Sequence, residues 1–420
     1  MEEANTNQIE VNTNNSEETV ETPKKSSNIG MYVGLGLAGV VFVAAIIVAI
    51  VLNLPSGEST VENTNSTVIV ENTELSSGSV TTTIDGKSIT YKAAYIVDGV
   101  DATITSGTFE STSDDESVFL VINGGSLTIE GDVTINKSGS EDFAGRGDNY
   151  SFYGLNSAIV VVGDGSSASL NGVKINTNVS GANAVVATGG GEVNISESEI
   201  ATSKDNSRGL HATYGGSITA DSVKIATQGG SCASLATDRG SGEVIASNMT
   251  LSTAGAGSPL IYSTGDITVT NSTGTATGAQ IAVVEGKNSI TLENCDFKAN
   301  GVGNRNNVDN AGVMIYQSMS GDADQGTGSF TAKNCTLTVL DSSSVYSDTP
   351  FFFVTNTTAT IELTKSTISF SSSQKLISAL GTDEWGRSGS NGGKVTASMT
   401  DVTSTNTEVE VDSISSVEML

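Results

Sequence analysis

The chain is predicted to be all-β, wound as a single-stranded parallel β-helix preceded by one transmembrane α-helix. Three observations predict it. An aliphatic quartet returns at steps of about 25 residues, the period of a solenoid coil. The polarity is carried by Ser, Thr, Asn and Gly, with 47 Gly but only 4 Pro and 16% charged residues; Thr and Val favour strands, and Gly and Asn favour tight turns. A charge-free apolar run lies near the N-terminus.

Residues 1–28 are polar, acidic and without an apolar period, as in a disordered cytoplasmic tail. Residues 29–54, "IGMYVGLGLAGVVFVAAIIVAIVLNL", carry no charge. At about 1.5 Å per residue they can cross a hydrocarbon core of about 30 Å. Lys24 and Lys25 precede the run and Glu58 follows it. The positive-inside rule therefore puts the N-terminus in the cytoplasm and the bulk of the chain outside, as a single-pass cell-membrane protein. Gly34, Gly36 and Gly39 spell G-x-G-x-x-G inside this span, where no βαβ unit can form, so the motif is not read as a dinucleotide site. Residues 55–80, rich in Ser, Thr, Asn and Glu, read as a stalk, and 81–420 as the β-helix.

The quartet has apolar residues at offsets 0, 2, 5 and 7. Ala168, Leu170, Val173 and Ile175 set the pattern; Ile218, Ala220, Val223 and Ile225, then Val244, Ala246, Met249 and Leu251, repeat it. Ile290, Leu292, Cys295 and Phe297 follow, then Phe330, Ala332, Cys335 and Leu337. Val193, Ile195, Ser198 and Ile200 fit with a small third residue, as do Ile361, Leu363, Ser366 and Ile368. Val395, Ala397, Thr400 and Val402 close the series, while Ile267 and Val269 carry only its first half. Alternation puts one face of each strand inward, and only stacked coils can bury it. About eleven coils at about 4.8 Å each make a rod of roughly 50 Å. A second strand precedes each quartet, in runs such as "SAIVVV", "GLHATY" and "PLIYST". Asn248, Asn271, Asn294 and Asn334 share offset 4 and are expected to stack as an amide ladder. Cys295 and Cys335 share offset 5, either as two buried thiols or within disulfide range.

The segments "SRGLHATYGGSI", "CASLATDRGSGEV", "GSPLIYSTGDITVTNSTGTATG", "GVMIYQSMSGDADQGTGSFT" and "FFVTNTTATIEL" resemble a family of surface-exposed right-handed β-helix proteins. These are described as adhesin-like or carbohydrate-binding proteins of unknown function. The resemblance covers roughly residues 150–370. It implies a pectin-lyase-like solenoid at the cell surface and offers no catalytic residue to carry over. Members often have Asp where this chain has His211, and they tend to continue past "VEVDSISSVEML". The chain thus reads as stopping in mid-coil, with a truncated C-terminus.

Counting back five residues from Val244, Ile267 and Ile290 gives Arg239, Tyr262 and Glu285, one vertical row if the turns are constant. Tyr214, four before Ile218, lies close to it; Arg208, His211, Asp238 and Lys287 are neighbours, and Tyr316 ends the matching strand of the next coil. Aromatic faces and charged groups together can grip a sugar chain; the alternative is an ion pair with tyrosines covering a corner. Trp385, the only Trp, suits sugar stacking or folds back over the core. Catalysis is argued against. Asp238 and Glu285 are two coils apart, about 9.6 Å by coil rise, and their count differs by one, which puts them on opposite faces. No cofactor is implied, and Asp322 and Asp324 lack a third ligand for a metal. The net charge of −28 excludes a nucleic-acid partner.

The first reading is a membrane-anchored extracellular β-helix that acts as a non-catalytic surface adhesin, its partner a polysaccharide or a host or partner cell surface. Two others stand beside it: a polysaccharide-degrading enzyme, lyase or glycoside hydrolase, on the same fold, and a purely structural surface rod. Nothing in the sequence fixes an oligomeric state.

Overall fold

The protein winds as a parallel β-helix with three strands per coil. The computed structural model describes residues 75–140, 149–299, 311–318, 321–340, 349–382 and 392–420. The tail, the span over 29–54 and Trp385 lie outside them, and among the described residues no helix is long and apolar enough to cross a membrane. The first strand, Ser76–Ile84, begins inside the segment read as stalk.

Three successive coils show the pattern. Ile159–Val162, Val185–Thr188 and Leu210–Thr213 stack in parallel in one sheet. Ser167–Asn171, Glu192–Ser196 and Ser217–Asp221 stack in a second sheet, followed there by Lys174–Asn178, Glu199–Thr202 and Lys224–Thr227. Among the described residues the first sheet has 13 strands and the second, bent sheet has 21. The register agrees with the quartets: Ala168 pairs Val193, Val193 pairs Ile218, Ile218 pairs Val244, and the series runs on through Ile267, Ile290, Phe330 and Ile361.

The last step is corrected. Val395 was expected beside Ile361, but Ile361 pairs Ala397, and Val395 pairs Ala359. A slip of two residues keeps every side chain on the same face, so alternation alone cannot separate the two registers. The half quartet is also explained. Gly274 stands where the others carry an aliphatic, and a Cβ there would come within 3.0 Å of Leu260 Cδ1. Leu260 is fully buried and fills the place.

Each quartet is split by one residue in the left-handed region. Glu197, Ser222, Asn248, Asn271, Asn294, Asn334, Lys365 and Asp401 have φ between 49° and 57° at equivalent corners. For residues other than Gly this costs roughly 1–2 kcal/mol, least for Asn and Asp. Two buried aliphatics per strand pair, at roughly 2 kcal/mol each, outweigh it. Asn294 Nδ2 donates to Asn271 Oδ1 at 3.1 Å, and Asn334 Nδ2 to Asn294 Oδ1 at 3.2 Å. Asn248 leaves the ladder and donates to Asp221 Oδ1 at 2.6 Å.

The small third residues also have a physical reason. Where the next coil carries Ser at the third place, its hydroxyl accepts the amide that follows the left-handed corner. Val173 N donates to Ser198 Oγ, Met249 N to Ser272 Oγ and Cys335 N to Ser366 Oγ, at 2.9–3.1 Å. Cys295 N points to Cys335 Sγ at 3.5 Å, and all three cysteines are buried free thiols.

The middle strands of the first sheet are buried on both faces, as Leu210–Thr213 shows. Leu210 and Ala212 join the interior core, while His211 and Thr213 point outward under a cover. The N-terminal hairpin, Ser76–Ile84 with Lys87–Asp98, turns at Asp85 and Gly86, φ 49° and 72°. It packs Ile84, Ile89 and Tyr91 with Leu120, Val160 and Val186 on that outer face, together with Phe152 and Tyr153 of the short helix Asn149–Tyr153.

The left-handed corner yields a test. Asn294→Gly should leave the urea midpoint nearly unchanged, whereas Asn294→Val should lower stability by about 1–2 kcal/mol. Equal midpoints for the two variants would rule the corner out as a constraint.

Candidate functional site

The outward face of the first sheet gathers the charged residues of the middle coils. Thr213 pairs Asp238, and Ala236 pairs both His211 and Tyr262. Tyr262 pairs Val283, and Glu285 pairs Tyr316. Continuing the register, Asp238 and Glu285 fall in one row, two coils apart. His211 and Tyr262 share the adjacent row, two residues earlier and on the same face.

This corrects two expectations. Arg239, Tyr262 and Glu285 do not form a row, and Asp238 and Glu285 are not on opposite faces. Counting from the quartets assumed turns of constant length. The turn spans Arg239 to Gly242 after Leu235–Asp238, but only Gly286 to Asn288 after Ala282–Glu285. Arg239, at φ 41°, has already left the strand. Gly286, at φ 68°, makes the shorter turn, where a Cβ would stand 2.3 Å from the Asp324 carbonyl.

Glu285 is fully buried and held on both oxygens. Tyr262 and Tyr316 hydroxyls donate to its Oε2 at 2.7 and 2.8 Å. Ser318 donates to Oε1 through its backbone N at 3.3 Å and through its hydroxyl. Burial beside this carboxylate raises both tyrosine pKa values well above the ordinary phenol. Asp238 is also buried, with Oδ2 3.3 Å from Arg208 Nη2 and Oδ1 without a hydrogen-bond partner. Burial pushes its pKa to about 7; Arg208 opposes the rise, and Asp322 and Glu285 add to it. His211 is buried with neither ring nitrogen bonded. Burial first, and then the Arg208 charge, hold its pKa well below the imidazole value, so the ring is neutral.

Above this row, Arg239 Nη2 meets Asp322 Oδ1 at 2.5 Å, and its guanidinium lies 3.9 Å from the centre of the Phe152 ring. Of the residues singled out in the sequence, Arg208, His211, Asp238, Arg239, Tyr262, Glu285 and Tyr316 come together. Tyr214 sits beside Arg239, its backbone N donating to the Arg239 carbonyl at 2.7 Å, but its side chain turns to Tyr153, stacking at 5.0 Å with the two hydroxyls 3.2 Å apart. Lys287 forms an exposed surface pair with Asp324 at 2.8 Å. Trp385 lies outside the described residues. Ser318 and the pairing of Asp322 with Arg239 were not legible, because the loop that brings them back has no periodic pattern.

Among the described residues no group of three acidic, Cys or His side chains is placed to hold a metal. A row that pairs a protonated carboxyl with a clamped carboxylate on one face can donate a proton to a leaving oxygen and hold negative charge beside it.

No family profile matches the chain, and no curated protein matches it. Among solved structures it is similar to the catalytic domain of a GH87 alpha-1,3-glucanase in complex with tetrasaccharides, at 11% identity and TM-score 0.41, covering 76% of this chain and 63% of that one. The same kind of domain in complex with nigerose gives 11% identity and TM-score 0.36, over 75% and 63%. The chain thus spans under two thirds of those domains, and at this identity neither their substrate nor their mechanism transfers. The first functional expectation is nonetheless corrected. The solved structures found are catalytic domains of a glycoside hydrolase, not non-catalytic adhesins, and the facing argument used against a carboxylate pair has fallen.

Opposed titrations give the site a signature. Asp238, with its folded pKa raised from about 3.8 to about 7, adds stability that is full below pH 4 and lost as pH rises to 7. His211, with its folded pKa depressed, adds stability present above pH 6.5 and lost as pH falls. Just below pH 6.5 the two slopes thus oppose one another. Asp238→Asn should therefore make stability rise with pH in that window, and His211→Phe should make it fall, as read by urea midpoints. Parallel profiles for both variants and the parent would refute the assignment.

Proposed function

We propose that the protein is a polysaccharide-degrading enzyme of the glycoside hydrolase type, working on the outward face of its parallel β-helix. The observation that carries this reading is the pairing of Asp238, protonated near neutral pH, with Glu285, clamped by two tyrosines and Ser318, in one register row. Two coil rises put the carboxyl groups about 9.6 Å apart, just beyond the roughly 6.5–9.5 Å that leaves room for an attacking water in inverting hydrolysis. Asp238 is the general acid and protonates the glycosidic oxygen; Arg208 steadies its carboxylate as the proton leaves. Glu285 is the base: its Oε1 accepts the proton of the attacking water once the Ser318 hydroxyl turns away. The buried row is covered by Phe152, Arg239 and Asp322, so a sugar chain enters when that layer parts.

A right-handed winding and an extracellular place behind a membrane anchor over residues 29–54 belong to the same proposal. The support for the anchor is the charge-free run with Lys24 and Lys25 before it.

The full chain should release reducing ends from at least one polysaccharide in a panel of α- and β-glucans and polyuronates, α-1,3-glucan among them. Asp238→Asn and Glu285→Gln should each lower kcat by about 10²–10⁴-fold with unchanged folding. Full activity in both variants, or no hydrolysis anywhere in the panel, would end this reading.

A further inference from the structure

Next to the Glu285 clamp, the turns after the first sheet open into a groove of about 410 Å³. It begins at Gln317, the residue between Tyr316 and Ser318, which both hold Glu285. It continues along Gln325, Asn356, Thr358, Lys394 and Ile414. These belong to four stacked coils, because Thr327–Lys333 pairs Thr358–Thr364, which pairs Lys394–Thr400, which pairs Ser416–Met419. Three coil rises make the groove about 14 Å long along the helix axis, enough for a short run of sugar rings.

Its walls are amides and hydroxyls. Gln317 is 3% exposed, and while its Nε2 donates to the Ala323 carbonyl at 3.2 Å, its Oε1 has no hydrogen-bond partner. Leaving a buried carbonyl oxygen unmatched costs about 1–3 kcal/mol. A hydroxyl donor in the groove removes that cost once the amide turns from Gly286 toward it. Asn356 is fixed beside it, its Nδ2 donating to the Gln317 carbonyl at 2.9 Å. Among the described residues the lining is mainly amides and hydroxyls, which recognise sugar hydroxyls through hydrogen bonds.

Charge selects the ligand class. Among the described residues Lys394 is the one charged side chain lining the groove, against a net charge of −28 for the chain. A single exposed cation does not offset that field for a polyanion bearing one carboxylate per sugar. An uncharged polyol suffers no such repulsion.

We infer that this groove is a subsite row for an uncharged glycan, holding the part of the chain that runs C-terminally from the Asp238–Glu285 row, with Gln317 as its specificity-determining residue. This rests on the hydrolase reading for its place in a reaction, but the binding itself does not require catalysis.

The test uses the full chain carrying Asp238→Asn, so that ligand survives, in calorimetric titration. The probes are neutral gluco-hexaoses of α-1,3, α-1,4, β-1,3 and β-1,4 linkage, with hexagalacturonate as the charged counterpart. One or more neutral hexaoses should bind, with an affinity insensitive to salt, and Gln317→Ala should weaken binding about tenfold. Gln325→Ala serves as a second variant, since Gln325 is exposed and its loss should not disturb folding. Tighter binding of hexagalacturonate, no binding of any neutral hexaose, or unchanged affinity in both variants would overturn the inference. Neutral binding weakened by Gln317→Ala in a chain that hydrolyses nothing would leave the groove standing and remove the hydrolase; hydrolysis with an unchanged KM in Gln317→Ala would do the reverse.

Discussion

The axial hydrogen bonding between coils is the constraint on which everything else depends. Each strand is satisfied by the coil before and the coil after, and no coil can bury its aliphatics alone. The corners must therefore return the chain to the same azimuth every time. A residue in the left-handed region does this on the second sheet, from Glu197 to Asp401. The amide it exposes is accepted by a Ser or Cys one coil on, as with Val173 and Ser198. Backbone strain, side-chain size and hydrogen bonding are thus one device repeated along the axis. It accounts for the Ser found at the third place of several quartets while the first two places stay apolar.

The same stacking creates the candidate site. An outward-facing row on the first sheet is a line of side chains about 4.8 Å apart. Whatever titratable groups fall in it interact through a covered, poorly solvated face. Asp238 and Glu285 are there together, and burial with like charge nearby keeps Asp238 protonated to about neutral pH. The opposite corner of the fold, the exposed ladder of asparagines, carries amides that satisfy one another and offers no comparable chemistry. The difference lies in the cover: the hairpin, the Asn149–Tyr153 helix and the loop bearing Asp322 exclude water from one sheet and not from the other.

Turn length on the side of the site separates the legible from the hidden. On the second sheet the corner is a single residue, so the quartets align from Ala168 to Ile361 by counting. Between the two sheets the turn changes length from coil to coil, and counting across it moves Arg239 and Tyr262 out of the row they were assigned to. The error was enough to set Asp238 and Glu285 on opposite faces and to argue catalysis away.

The sequence by itself determined the coil period, the inward-facing aliphatics, the positions of the asparagine ladder and the stacking of Cys295 on Cys335, because these follow from local alternation and a constant corner. It also brought forward seven of the side chains that gather at the site. Only the tertiary structure decided which of them share a face, that the Tyr214 ring turns to Tyr153 and Lys287 stands apart, that Ser318 and Asp322 join from a loop without period, and that Ile361 pairs Ala397 and not Val395. The physical reason is that a strand's period of two is blind to slips of two residues and to the length of the turn before it, whereas interstrand hydrogen bonds and close packing accept a single register.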